Sequence, residues 1–210
     1  MNRIIENNQV TISGEIASGF NFSHETFGEK FYIVDVNVQR MSDASDIIPV
    51  MVSDRLVDIS EDYTGQFVSV TGNFRSHNKQ DGEKKRLALS VFAREFEFLS
   101  ENEVCLYDNH VFLDGFICKA PSYRKTPRER EISDLLLAAN RPYGKSDYIP
   151  CVCWGRNARF AGNLEIGTRI KVSGRIQSRD YIKRYADGRE EDRTAYEVSV
   201  SKLEVVEDAD

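Results

Sequence analysis

The chain copies itself once, and a repeat of this length restricts it to two versions of one folding unit. "NQVTISGEI" at Asn8–Ile16 returns as "NHVFLDGFI" at Asn109–Ile117, 101 residues later. "DIIPVMVS" (Asp46–Ser53) returns at the same spacing as "DYIPCVCW" (Asp147–Trp154), and "GQFVSVTGNFRS" (Gly65–Ser76) returns as "GTRIKVSGRIQS" (Gly167–Ser178), 102 residues later. Landmarks kept in order at a near-constant spacing indicate a tandem duplication; one match alone would not. Each copy is about 100 residues, an ordinary domain size. The expected division is an N-terminal unit over 1–103 and a C-terminal unit over 109–206, joined by a short linker around Ser100–Asp108.

Both copies read as short strands of alternating polarity punctuated by Gly and Pro. In the second copy strands are expected near Val111–Lys119, Ile132–Arg141, Asp147–Trp154, Thr168–Arg179 and Ala195–Val205. A short helical stretch is expected after the third strand of each copy, near Ser53–Ser60 and Asn157–Asn163. The fold class is therefore all-β: two tandem OB-fold barrels, each five-stranded with a short helix after the third strand, closed so that no sheet edge is left bare. Gly14, Gly72, Gly115 and Gly174 fall inside strands, where glycine permits a barrel bend or bulge.

Comparing the copies assigns the faces. Alternation puts Ile149, Cys151 and Cys153 on one side of the third strand and Tyr148, Pro150, Val152 and Trp154 on the other. The first copy has Ile48, Val50 and Val52 on the cysteine side, so that side is the core and Tyr148 and Trp154 point outward. In the fourth strand Ile170, Val172, Gly174 and Ile176 match the apolar Val68, Val70, Gly72 and Phe74. The opposite parity carries Arg169, Lys171, Ser173, Arg175, Gln177 and Arg179. The second copy thus sets a basic row beside an aromatic row, and the first copy is expected to have neither.

Charge follows the same division. Residues 1–108 hold 10 Lys/Arg against 18 Asp/Glu, whereas Tyr123 to Arg193 holds 16 against 10, inside a chain of net charge −6. Local fields rather than the total steer a polyanion. Two loops extend the basic surface: "KAPSYRKTPRER" (Lys119–Arg130), with Arg124 and Lys125, and the hairpin "SRDYIKRYADGREEDRTAY" (Ser178–Tyr196), with Tyr181, Lys183, Arg184 and Tyr185. Two readings compete. In one, the outward aromatics pack under the helix or against another subunit and the cations are a solvated face. In the other, they form a groove for single-stranded nucleic acid, where rings stack bases of any sequence and cations neutralise phosphates.

The second copy resembles the bacterial single-stranded DNA-binding protein family. "YRKTPREREISDLLLAANRPYGKSDYIPCVCWGRNARF" and "GTRIKVSGRIQSRDY" are similar to that family's R-x-T-P loop, LA-x-NR second strand, IPC-x-x-WG-x-x-A third strand and G-R-x-Q-x-R-x-Y fourth strand. The first copy is similar more faintly, through "VTISGEI", "IIPVMV" and "FVSVTGNFRS". The resemblance implies sequence-tolerant binding and protection of single-stranded DNA in replication, recombination or repair, with RNA left open. It implies base-stacking roles for Tyr143, Tyr148, Trp154 and Tyr181 and phosphate-contacting roles for Arg124, Arg141, Arg156 and Arg179. With Lys125, Lys171, Arg175 and Lys183 from the loops and the basic row, these are the candidate DNA-binding residues. It also implies a homodimer presenting four barrels. The family's acidic recruiting tail has no counterpart in "LEVVEDAD", and Asp180 stands where a cation would help.

Other classes are expected to be absent. No Ser/His/Asp grouping or phosphate-cradling Gly loop points to an enzyme, and Cys105, Cys118, Cys151 and Cys153 with His24, His77 and His110 lack metal-ligand spacing, so neither metal nor cofactor is expected. The pair Cys151 and Cys153, on one parity of a strand, reads as buried reduced thiols. Without a membrane-length apolar run or a secretory start, a cytoplasmic protein without membrane partner is expected. The alternative function is a protein-interaction adaptor of the primosome type with weak nucleic-acid binding.

Overall fold

The computed structural model describes residues 7–81, 84–100, 102–103, 107–185 and 187–207, and of 79–81 and 84–86 the backbone alone. The N-terminal half forms β1 (Asn8–Ile16), β2 (Asn21–Thr26), β3 (Glu29–Gln39), β4 (Ser45–Ser53), β5 (Phe67–Asp81) and β6 (Lys84–Phe98). The C-terminal half forms β7 (Asn109–Lys125), β8 (Glu131–Asn140), β9 (Ser146–Trp154), α1 (Arg156–Ala161), β10 (Arg169–Arg184) and β11 (Glu190–Val205).

Each half closes by the same cycle. Antiparallel pairs β1–β3, β3–β4, β5–β6 and β1–β5 meet the parallel contact Val50↔Val91 between β4 and β6. The second half repeats it with β7–β8, β8–β9, β10–β11 and β7–β10, closed by Val198↔Cys151. The alternating apolar parity fills both interiors, with Val34, Val50, Val70 and Phe74 in one and Leu137, Ile149, Ile170 and Ile176 in the other, all 0% exposed. Of the cysteines, Cys105 lies outside the described residues, Cys118 is half-buried, and Cys151 and Cys153 are buried free thiols; burial pushes that of Cys153 up to about 12.

The copies differ in two places. The single strand β7 corresponds to β1 and β2 together. In the first half the strand breaks at 17–20, where the Ser18 hydroxyl accepts from the Asp35 N–H at 2.9 Å; in the second it runs on past Pro121 through register shifts after Ile117 and Lys119. Most of the expected loop Lys119–Arg130 is therefore a β-hairpin. The helix expected near Ser53–Ser60 is also replaced by turns. There the Asp58 carboxylate accepts from the Ser60 N–H at 3.0 Å and the Ser53 hydroxyl accepts from the Arg55 N–H at 3.2 Å, local bonds that compete with a helix.

The barrels join about a pseudo-two-fold axis. β1 pairs antiparallel with β7, and the equivalent residues Val10 and Val111 face each other. Beside that ladder two mirrored clamps cross the junction. The Arg40 guanidinium donates to Asp46 at 2.5 and 2.7 Å and to the Ser178 carbonyl at 3.1 Å, while Arg141 donates to Asp147 and to the Ser76 carbonyl at 3.0 Å. Each aspartate accepts in turn from the serine N–H of the other barrel, Ser178 at 2.6 Å and Ser76 at 2.7 Å.

Candidate nucleic-acid interface

The outer sheet of the second barrel is built of rows crossing three strands. Arg124 of β7 lies opposite Ile132 of β8, which lies opposite Trp154 of β9; Phe116, Ala138 and Tyr148 form another row. Directly opposed side chains stand about 5 Å apart, so each row is a continuous surface. Trp154 is 41% and Tyr148 46% exposed, while Ile149, Cys151 and Cys153 on the other parity are buried. Val152 departs from the expected outward exposure and is 3% exposed. It is a small side chain set between Pro150 and Trp154, with Asp134 and Ser199 on the flanking strands, and its taller neighbours cover it.

The candidate cations divide by their partners. Arg124, half exposed, bonds Asp134 at 3.0 Å on the outer face of the same sheet. Lys125 pairs with Glu129 at 3.5 Å across the hairpin turn. Arg156 opens α1 and is exposed. Arg141 is engaged in the junction clamp and is not brought to the aromatic rows. Lys171 lies between Asp114 and Glu204 on the flanking strands, and its neighbour Arg169 bonds Asp114 at 2.9 and 3.0 Å. Arg175 opens on a separate depression beside Arg40, Met41 and Tyr107. The expected basic row is therefore not one stripe: β10 bulges between Ser173 and Gly174 and winds round the barrel, so a shared parity does not mean a shared surface.

Beyond the bulge, Arg179 and Tyr181 lie on the hairpin arm, Tyr181 opposite Arg193 and 37% exposed. The arm overhangs a cleft of about 490 Å³ lined by Pro150, Tyr181 and Tyr196 from one barrel and Ile33, Pro49 and Leu89 from the other. Lys183 stacks on Tyr185 at 4.7 Å, and the Tyr185 hydroxyl donates to Glu191 at 2.5 Å and accepts from Arg193 at 2.7 Å. Arg193 also donates to Glu191 at 2.9 Å, and that bond first, with the one from Tyr185, holds the Glu191 carboxyl down at about 2. Asp180 accepts from the Thr194 hydroxyl at 2.7 Å. Tyr143 sits in the turn after β8, 95% exposed with φ 64°.

The sequence reading missed two features. Phe116, 38% exposed, extends the Tyr148 row. The first barrel, expected to lack an outward aromatic row, has one displaced by a strand: His24 stacks on Phe31 at 5.0 Å, and Phe31 meets Phe92 at 5.6 Å. Phe31 lies opposite Ser53, the counterpart of Trp154, a pairing that spacing along the chain does not reveal.

Residues 108–206 match the sequence model of the single-strand binding protein family. The second barrel is similar to that family. Among relatives, a single-stranded DNA-binding protein of Halalkalibacterium halodurans is 36% identical over 80 residues, 35% of this chain and 48% of that protein. Single-stranded DNA-binding protein 2 of Listeria innocua is 38% identical over 80 residues, 35% of this chain and 50% of its own length. The chain thus spans about half the length of these relatives. Among solved structures, the wild-type single-stranded DNA binding protein from Thermus aquaticus superposes with TM-score 0.77 at 20% identity, covering 97% of this chain and 94% of that one. That likeness carries the fold over both halves: two tandem OB barrels in one chain. Among the described residues no helix is long and apolar enough to cross a membrane.

Proposed function

We propose that this chain is a non-enzymatic protein that binds single-stranded DNA without reading its sequence, with its main site on the second barrel. The observation that carries this reading is the row Arg124–Ile132–Trp154 beside Tyr148. Two rings stand about half exposed, one position away in parity from a fully buried core, with the Arg124 guanidinium held by Asp134 on the same outer face. Such rings are fixed by their strand yet offer a free face, and stacking contributes about 1–3 kcal/mol per base whatever the base. The similarly named relatives point the same way. Within this reading Trp154, Tyr148, Arg124, Arg156, Arg179 and Tyr181 bind, and Arg141 holds the junction. Two such chains associating into a four-barrel dimer remain part of the proposal, and light scattering of the purified protein checks that part.

The test is a titration of tryptophan fluorescence with oligo-dT at several salt concentrations, against duplex DNA of equal length. Trp154 is the sole tryptophan, so the signal belongs to one face. Strong quenching by the single strand alone, with a log–log salt slope of about −0.7 per phosphate contact, supports the reading. No quenching, or an equal response to duplex, overturns it and leaves an interface for another protein.

A further inference from the structure

We propose that the first barrel completes the site of the second: Ser76, on β5, is a positioning residue that fixes the backbone from which the Tyr148 ring of β9 stands out. This rests on the reading of Tyr148 as a stacking ring, and it makes the binding surface a property of the joined barrels rather than of the second barrel alone.

β9 pairs with β8 along its whole length but meets β11 only at Cys151 and Val152, so its edge before Cys151 has no third strand of its own barrel to bond. A backbone N–H on that edge, held away from water, needs an acceptor from elsewhere. Ser76 supplies it: its hydroxyl accepts from the Tyr148 N–H at 2.8 Å, 72 positions along the chain. The Ser76 N–H donates to Asp147 at 2.7 Å, and the Ser76 carbonyl accepts from Arg141 at 3.0 Å. Three groups of one serine therefore hold the segment that ends at Tyr148. Ser76 is 8% and Asp147 1% exposed, whereas Tyr148 is 46% exposed. The bonds are shielded from water while the ring they steady stays open.

The support behind Ser76 is rigid. Phe74, two residues earlier, is fully buried in the first barrel's core, and the Asn8 side chain bonds its N–H at 2.8 Å and its carbonyl at 2.7 Å. Arg75, between them, stacks on the Phe92 ring at 3.7 Å. A group anchored in this way holds its partner with little play. The mirrored half of the junction lacks the last bond. Ser178 repeats the N–H and carbonyl contacts, with Asp46 and Arg40, but its hydroxyl donates to Asp46 Oδ1 at 2.9 Å. Among the described residues no hydrogen bond joins that hydroxyl to the N–H of Ile47, the counterpart of Tyr148. The duplicated serines thus fasten the barrels on both sides and reach a candidate stacking residue on one side only. Stability accounts for the shared contacts; the added one falls on the strand that carries the exposed ring.

The test uses the full chain and labelled oligo-dT, with affinity read by anisotropy and stability by urea unfolding. Ser76→Ala removes the acceptor and is expected to weaken binding about 2–10-fold, the scale of one hydrogen bond. Its salt slope should match wild type, because no phosphate contact is lost. Ser76→Thr keeps a hydroxyl and is expected to bind within about twofold of wild type. Ser178→Ala removes the mirrored hydroxyl from the same junction, and its affinity should also stay within about twofold; an equal loss in Ser76→Ala and Ser178→Ala would mean a general loosening and overturn the proposal. In a Tyr148→Ala background, Ser76→Ala is expected to add no further loss, since the two act as one unit. The same loss with and without the ring would overturn the proposal, as would wild-type affinity of Ser76→Ala when Tyr148→Ala alone is weakened. Wild-type affinity of Tyr148→Ala itself would instead overturn the reading of that ring as part of the second barrel's site.

Discussion

Asp46 and Ser178 belong to different barrels, 132 positions apart, and Asp46 Oδ1 accepts hydrogen bonds from both the Ser178 N–H at 2.6 Å and its hydroxyl at 2.9 Å. The carboxylate is 0% exposed and also receives Arg40. Its duplicate, Asp147, receives Arg141 and the N–H of Ser76, whose hydroxyl goes on to accept from the Tyr148 N–H at 2.8 Å. One set of residues, duplicated, locks each barrel to the other and sets the strand on which Tyr148 stands.

Arg141 is thus expected to matter for stability and not for phosphate contact. Arg141→Ala leaves Asp147, 1% exposed, without its cation, and breaking such a pair costs about 3 kcal/mol. Urea unfolding should show that loss, while oligo-dT binding at the same temperature keeps its salt slope. A lower slope with unchanged stability would return Arg141 to the binding groove.

Acid should loosen the junction. Burial alone would raise the Asp46 carboxyl, but bonds from Arg40 and Ser178 outweigh it and hold it below the usual range. A group whose folded value lies below its unfolded value of about 3.9 stabilises fully above that unfolded value and loses the contribution as pH falls through the folded one. Asp46→Asn is therefore expected to be less stable than wild type at pH 7 and to close that gap below about pH 4. Urea midpoints of both proteins across this range measure it, and a gap that ignores pH would contradict the assignment.

Gly174 stands at the β10 bulge, where an added Cβ would lie 2.2 Å from the Ser199 carbonyl oxygen; its duplicate Gly72 would meet that of Phe92 at 2.1 Å. Backbone cannot yield as a side chain can. Gly174→Ala is expected to cost about 1–3 kcal/mol and to lower the Tm by about 3–10 °C in a scanning calorimeter.

Trp154→Ala and Tyr148→Ala are each expected to weaken oligo-dT binding by about 5–150-fold, the equivalent of about 1–3 kcal/mol per stacked base. Their unfolding midpoints should stay close to wild type, since both rings are about half exposed. Equal affinity of the wild type and the Trp154→Ala variant, measured by anisotropy, would remove the tryptophan from the site.

Much of the fold was legible in the sequence because it depends on short-range rules. The copied segments announced two units, and the two-residue period of a strand placed Ile149, Cys151 and Cys153 inside and Tyr148 and Trp154 outside. The same period could not say what stands across the ladder, so Phe31 passed unnoticed opposite Ser53. It also could not tell that a bulge at Ser173–Gly174 and the acidic neighbours of Lys171 would split an apparently continuous basic row.

By itself, then, the sequence determined the duplication, the strand parities and the second barrel's likeness to the single-strand binding protein family, all properties of residues close along the chain or matched at one fixed spacing. Only the tertiary structure decided how the barrels join, that Arg141 serves the junction, and that the first barrel's aromatic row lies one strand over. Those facts depend on pairings such as Asp46 with Ser178, which close over more than a hundred residues and become definite only when both barrels have formed and the pseudo-two-fold axis brings their surfaces together.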